Sequence, residues 1–222
     1  MNSRLEVSAL FLSAVLVLSP AASGFDSFLS DTAVREAYFV GQRRDERTME
    51  LLEKYRRRFP VPERGPHISM VELFTPYAEA VDLSRLQNGN YSAQKAEQEY
   101  RTRRHLVRVS VQVLFTPTYG PYQSYSLPAP DSLSAVASAH WSADFSRDFS
   151  VRAVQDGRTL TPLDFGVENT FAWIGRSDAV WTGARLMLSF DAQEVSSDDV
   201  LVEVTAPDAP SVVARFDLAS LR

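Results

Sequence analysis

The sequence predicts a mainly β protein with an N-terminal α-helical part. The expected architecture is an immunoglobulin-like antiparallel β-sandwich of about eight strands, with a two-helix arm before it and one surface helix inserted between its first two strands. Three observations carry this. From Phe149 onward, short β-branched and aromatic runs recur between turn signals at a spacing of about 8–12 residues. Val107, Val109, Val111 and Val113 alternate with Arg108, Ser110 and Gln112, the pattern of a half-buried strand. Met49, Leu52, Tyr55 and Phe59 recur at three- and four-residue spacing, an apolar stripe on one helix face.

Taken in order, residues 1–24 read as a cleaved signal peptide. Arg4 is followed by an apolar run from Ala9 to Leu18, a Ser19-Pro20 break and small residues at Ala21, Ala22, Ser23 and Gly24. The run is shorter than the roughly 20 residues of a bilayer span. The expected product is exported, soluble, and periplasmic or secreted. Residues 25–63 form the helical arm. Asp31 is the expected cap of a helix to about Gln42, and Asp45 of a second helix through about Phe59. Pro60 and Pro62 end it.

Residues 64–222 form the sandwich domain. Strands are expected over residues 68–75 and 106–116, both ending in Leu-Phe-Thr-Pro, because Pro lacks an N–H for the ladder. Two Pro-blocked strands stopping at one rim explain that likeness more simply than a duplication. Residues 78–83 are a short strand or a turn of helix, and Ser92 caps a polar helix over residues 92–104. Residues 117–140 are a long loop in which Tyr119, Tyr122 and Tyr125 recur every third residue among prolines, an extended polyproline-like rhythm. Further strands are expected over residues 149–155, 158–161, 165–173, 184–190, 200–205 and 212–217. Asp156-Gly157 is a two-residue hairpin signal between the first two.

Composition limits the chemistry. There is no Cys, so disulfides, thiolate metal sites and a Cys nucleophile are excluded. The net charge of −5 divides unevenly: residues 25–110 hold 15 Lys/Arg against 13 Asp/Glu, and residues 111–222 hold 7 against 14. An acidic exported chain without a Gly-rich phosphate loop is a poor fit to nucleic acid or dinucleotides. His67, His105 and His140 form no HExxH or paired motif, and no GxSxG is present. No catalytic residue and no cofactor is therefore assigned, although a Ser/His/Asp set assembled from distant residues is recognised by geometry rather than spacing.

Three groups are candidates for contact with a ligand. Tyr77, Tyr119, Tyr122 and Tyr125 are expected beyond the sheet and in the loop, where a polar tip and apolar ring suit a binding surface. Trp141, Trp173 and Trp181 fit a core as well as an aromatic platform. Asp191, Glu194, Asp198 and Asp199 are a calcium candidate that fits no EF-hand spacing and reads equally as a turn.

The segments Ala37-Tyr38-Phe39-Val40-Gly41, Arg58-Phe59-Pro60, Gly65-Pro66-His67-Ile68-Ser69, Thr75-Pro76-Tyr77 and Tyr91-Ser92-Ala93-Gln94-Lys95-Ala96-Glu97 resemble uncharacterised exported bacterial proteins of acidobacterial type. The resemblance implies bacterial export and no activity. The functional expectation is a non-enzymatic interaction or structural module of the cell envelope, meeting a protein or envelope component through the helical arm or the Tyr/Pro loop. A carbohydrate-binding module using loop aromatics, and a hydrolase with a non-local His/acidic site, are the alternatives.

Overall fold

Strand pairing in the computed structural model gives two antiparallel sheets facing a common core. The structure describes residues 24–87, 89, 91–119, 147–174 and 178–222, with backbone alone for residues 173, 174 and 178–180. Residues 1–23 and most of the expected loop lie outside the described residues.

The helices are α1 (Asp31–Arg43), α2 (Glu46–Glu53), α3 (Pro76–Leu86) and α4 (Ala93–Thr102). The strands are β1 (Arg56–Arg58), β2 (His67–Phe74), β3 (Leu106–Leu114), β4 (Ser150–Gln155), β5 (Arg158–Thr159), β6 (Asp164–Ile174), β7 (Asp178–Asp191), β8 (Asp199–Thr205) and β9 (Val212–Asp217). One sheet has the order β1-β2-β3-β7-β6 and the other β5-β4-β8-β9. Val71, Val109, Val111 and Leu186 of the first sheet share a core with Ala153, Val202, Ala214 and Phe216 of the second. The arrangement is sandwich-like, and alternation in β3 buries its valines while Arg108, Ser110 and Gln112 face outward. Asp156 and Gly157 both take positive φ, as the tight hairpin between β4 and β5 requires. Among the described residues no helix is long and apolar enough to cross a membrane.

The helical part packs against both the sandwich core and the helices that follow it. Phe25 is buried in the main core and donates its N–H to Leu218 O at 3.1 Å, so the chain is anchored from its first described residues. Ser30, not Asp31, caps α1; Asp31 adds its charge to the first turn and pairs with Arg101 of α4. α1 packs on α3 and α4, and its buried residues Val34 and Ala37 join Leu52, Tyr77, Val81 and Ala96 in a second apolar cluster. Gly41 permits the close crossing of α1 over α3: a Cβ there would lie 2.3 Å from Val81 O. α1 and Leu52 of α2 therefore form one layer with α3 and α4, while Phe25 and Tyr55 reach into the main core.

The second helix stops at Glu53 instead of running to Phe59. Its apolar stripe splits, because Met49 is 44% exposed whereas Tyr55 is fully buried. Tyr55 turns the chain out of the helix: Leu73 N–H donates to Tyr55 O at 3.0 Å, and the three arginines that follow become an edge strand beside β2. The ladder sets Arg56 across from Glu72, and their side chains meet at 2.7 Å, a buried-side pairing that the helical register would not make.

Pro76 ends β2 as expected and also begins a helix that the sequence left undecided. It sits at the first helical position, where its missing N–H costs nothing, while Thr75 Oγ1 accepts from Ala78 N–H at 3.2 Å. Two helices, not one, thus separate β2 from β3. α4 is capped by Ser92 as expected, yet it is not wholly on the surface, since Ala96 and Glu97 are buried against α1 and Glu97 pairs with Arg35.

The shared Leu-Phe-Thr-Pro endings do not meet at one rim. β2 and β3 are antiparallel neighbours, with Phe74 opposite Arg108 and Leu114 opposite His67, so Pro76 and Pro117 follow strands that finish at opposite ends of their ladder.

Candidate functional site

The outward face of the five-stranded sheet carries an uncommon density of polar side chains arranged in rungs. The central rung reads Glu72 (β2), Ser110 (β3), Met187 (β7) and Gly166 (β6). On one side of it lie Met70, Gln112, Arg185 and Glu168, and on the other Phe74, Arg108, Ser189 and Asp164. α3 runs along one wall, contributing Glu79, Asp82 and Leu83. With the central rung, Phe74, Arg108, Ser189, Asp164 and Arg185, these α3 residues enclose a groove of about 360 Å³, the size range of small-ligand sites. Gly166 leaves the far wall low, since it has no side chain at its position in the central rung.

Charges in the groove are mostly matched. Glu72 pairs with Arg56 at 2.7 Å, Glu79 with Arg108 at 3.2 Å and Asp82 with Arg85 at 2.7 Å. Burial holds the Glu79 carboxyl above the usual carboxylate range, against the opposing pull of Arg108 and Arg103. Three charges on these rungs are left over: Arg185, Asp164 and Glu168 make no ion pair among the described residues. Arg185 Nε and Ser110 Oγ are both buried and have no hydrogen-bond partner among the described residues. They occupy neighbouring strands one rung apart, the diagonal relation that brings long side chains within reach, roughly 7–8 Å. A buried donor left unmet costs about 1–3 kcal/mol, so the floor of this groove has capacity for an outside acceptor.

A second, smaller cavity of about 30 Å³ lies on the other side of α3, among Glu79, Glu99, Tyr91, Tyr100, Arg103 and His105. That volume is about one water. His105 is wedged between Phe28 and Tyr100, with ring centroids at 4.7 and 4.6 Å, and its Nδ1 is buried without a partner among the described residues. Glu79 and Glu99 share the crevice, but neither hydrogen-bonds the imidazole, so the carboxylate-oriented base of a triad is not assembled.

The residues singled out from sequence fall elsewhere. Tyr77 is 4% exposed, with the Arg222 guanidinium 4.8 Å over its ring; burial, then the nearby Glu36 carboxylate, pushes its phenol up to about 12. Tyr119 is 6% exposed and donates its O–H to Asp148 at 3.2 Å, near Phe115 and Phe149. The two tyrosines belong to different apolar clusters. Tyr122, Tyr125, His140 and Trp141 lie outside the described residues, as does the side chain of Trp173. Trp181 is buried, 4.8 Å from Phe115. His67 Nε2 is 2.8 Å from Phe59 O, a backbone contact that holds the connector to β2.

The acidic group is dispersed. Asp191 caps a short 3-10 turn, Asp198 accepts from Ser196 Oγ at 2.7 Å, Asp199 pairs with Arg215, and Glu194 lies in the turn. No three of the described His, Asp or Glu side chains are grouped to hold a metal ion.

Arg185 and Ser110 escaped sequence reading for an identifiable reason. Alternating polar residues in a strand read as its solvated half, and nothing local marks a rung whose neighbours shield it. The available signal was the run Arg108, Ser110 and Gln112 in β3 beside an outward Glu72 in β2, which is more polarity than a plain surface needs. Comparison with protein-family models, with curated proteins and with solved structures finds no match for the chain.

Proposed function

We propose that this chain is a non-enzymatic, exported interaction module of the bacterial cell envelope, built on an immunoglobulin-like sandwich, with the groove on the outer face of its five-stranded sheet as the contact surface. The observation that carries the reading is the groove floor, where Arg185 Nε and Ser110 Oγ are buried and unmet. Polar capacity of this kind, inside a concavity of about 360 Å³, favours a site completed from outside. The immunoglobulin-like assignment rests on two antiparallel layers and their shared core. Export rests on the N-terminal apolar run and the small residues after it. The hydrolase alternative is disfavoured, because the crevice that holds His105 beside carboxyl groups has room for about one water.

The test combines fractionation with groove filling. Wild-type protein and a Ser110→Trp variant, matched for melting temperature, are expressed in a bacterial host and recovered from cytoplasmic and envelope fractions. The reading expects export of both, and envelope components retained by the wild type and lost from the variant. Cytoplasmic retention contradicts the envelope assignment, and equal retention by the two proteins contradicts the groove.

A further inference from the structure

We propose that the groove binds a carboxylate-bearing sugar of the uronic-acid class, its carboxylate held by Arg185 and Ser110 and its ring hydroxyls by Asp164 and the neighbouring carboxylates. This inference rests on the groove being the contact surface and adds the chemistry of what enters it.

The unmatched groups set that chemistry. Arg185 Nε–H is a buried donor with no acceptor among the described residues, and the Ser110 hydroxyl can present a second donor one rung away on the next strand. A carboxylate accepts hydrogen bonds only, takes up to about four of them, and pairs with guanidinium in a planar fork. One negative charge on the ligand matches the one described groove cation that lacks an ion pair. A phosphate monoester, at about −1.5 to −2, brings surplus negative charge beside Asp164, Glu72, Glu79 and Asp82. Those same carboxylates are acceptors, and Asp164 has no cationic partner among the described residues. They suit a ligand that carries donors as well as its charge, which a ring of hydroxyls does. Met187, partly exposed between the Arg185 and Ser189 rungs, offers the apolar contact that the face of a sugar ring needs.

The test is isothermal titration of the purified full chain, with amide resonances followed in parallel, using galacturonate, methyl galactoside and N-acetylglycine. Galacturonate is expected to bind and to move resonances on β3, β6 and β7, with methyl galactoside and N-acetylglycine each at least tenfold weaker. Arg185→Met is expected to weaken galacturonate at least tenfold with an unchanged melting temperature, and Ser110→Ala to weaken it less. Equal binding of methyl galactoside in the groove overturns the carboxylate assignment and leaves the groove reading standing, as does galacturonate binding unaffected by Arg185→Met. Equal binding of N-acetylglycine overturns the hydroxyl assignment. No groove response to any of the three overturns the sugar-acid inference; the groove reading then stands or falls on the Ser110→Trp retention test.

Discussion

Gly41→Ala separates a packed helical layer from a loosely held arm by the sign of its effect. In an exposed helix interior, replacing Gly with Ala stabilises by about 1 kcal/mol, because Ala loses less backbone entropy. At Gly41 the new Cβ would stand 2.3 Å from Val81 O, 2.8 Å from Ser84 Cβ and 3.0 Å from Arg85 N. Val81 O and Arg85 N belong to the backbone of α3, so no side chain can swing aside for them. An ordinary carbon–oxygen contact is about 1 Å longer than the first of these, so α1 must retreat from α3 by about that amount. The retreat loosens Val34 and Ala37 in the second cluster and pulls the Gln42 amide from Ser84 O. Overpacking of this kind costs about 1–3 kcal/mol, occasionally more, against the gain of about 1 kcal/mol. We therefore expect a net loss of up to about 2 kcal/mol, which lowers the melting temperature by up to roughly 8 °C in a domain of this size. Urea unfolding monitored by Trp fluorescence and far-ultraviolet dichroism checks it. A melting temperature that rises would refute the tight α1–α3 crossing, and with it the assignment of α1 to a common layer with α3 and α4.

Three further substitutions probe the buried polar groups. Burial raises the folded-state pKa of Glu79, so its contribution to stability is full below the unfolded value and is lost as pH rises through the folded one; Glu79→Gln should gain on the wild type in urea midpoint between pH 4 and pH 7, and a constant difference would contradict the shift. Tyr77 is raised to about 12 from 10.0, so the wild type should lose roughly 2–3 kcal/mol relative to Tyr77→Phe as pH rises from about 10 past 12, and an ultraviolet titration should show one late phenol missing from the variant. Tyr55 donates its O–H to Arg222 O at 2.7 Å and accepts from Arg222 N–H at 3.2 Å; Tyr55→Phe should cost about 1–3 kcal/mol in chemical denaturation, and a neutral result would mean that water takes both bonds.

Local signals in the sequence carried the β-part well. Period-two alternation in Leu106–Leu114 and the Asp156-Gly157 turn are properties of a few adjacent residues, and each places its element. The misread segments are those decided by distant partners. Arg56–Arg58 has helical propensity, yet it pairs as a strand because Tyr55 is buried and Glu72 awaits across the ladder. Thr75-Pro76 reads as a strand stop or as a helix start, and only the packing of Tyr77 and Val81 against α1 selects the helix. Tyr77 and Tyr119 show the same limit: a Tyr beside Pro in a polar stretch looks exposed, while the fold gives each ring a pocket. The groove was the least legible feature, since Arg185, Ser110, Asp164 and Glu79 come from three strands and a helix and converge only through register.

The most direct test of the groove is the affinity of the wild-type protein for galacturonate compared with that of Arg185→Met, measured by titration calorimetry on proteins of matched melting temperature. Completion of the groove floor by an outside acceptor predicts binding by the wild type and at least a tenfold loss in the variant. Equal affinities would contradict it.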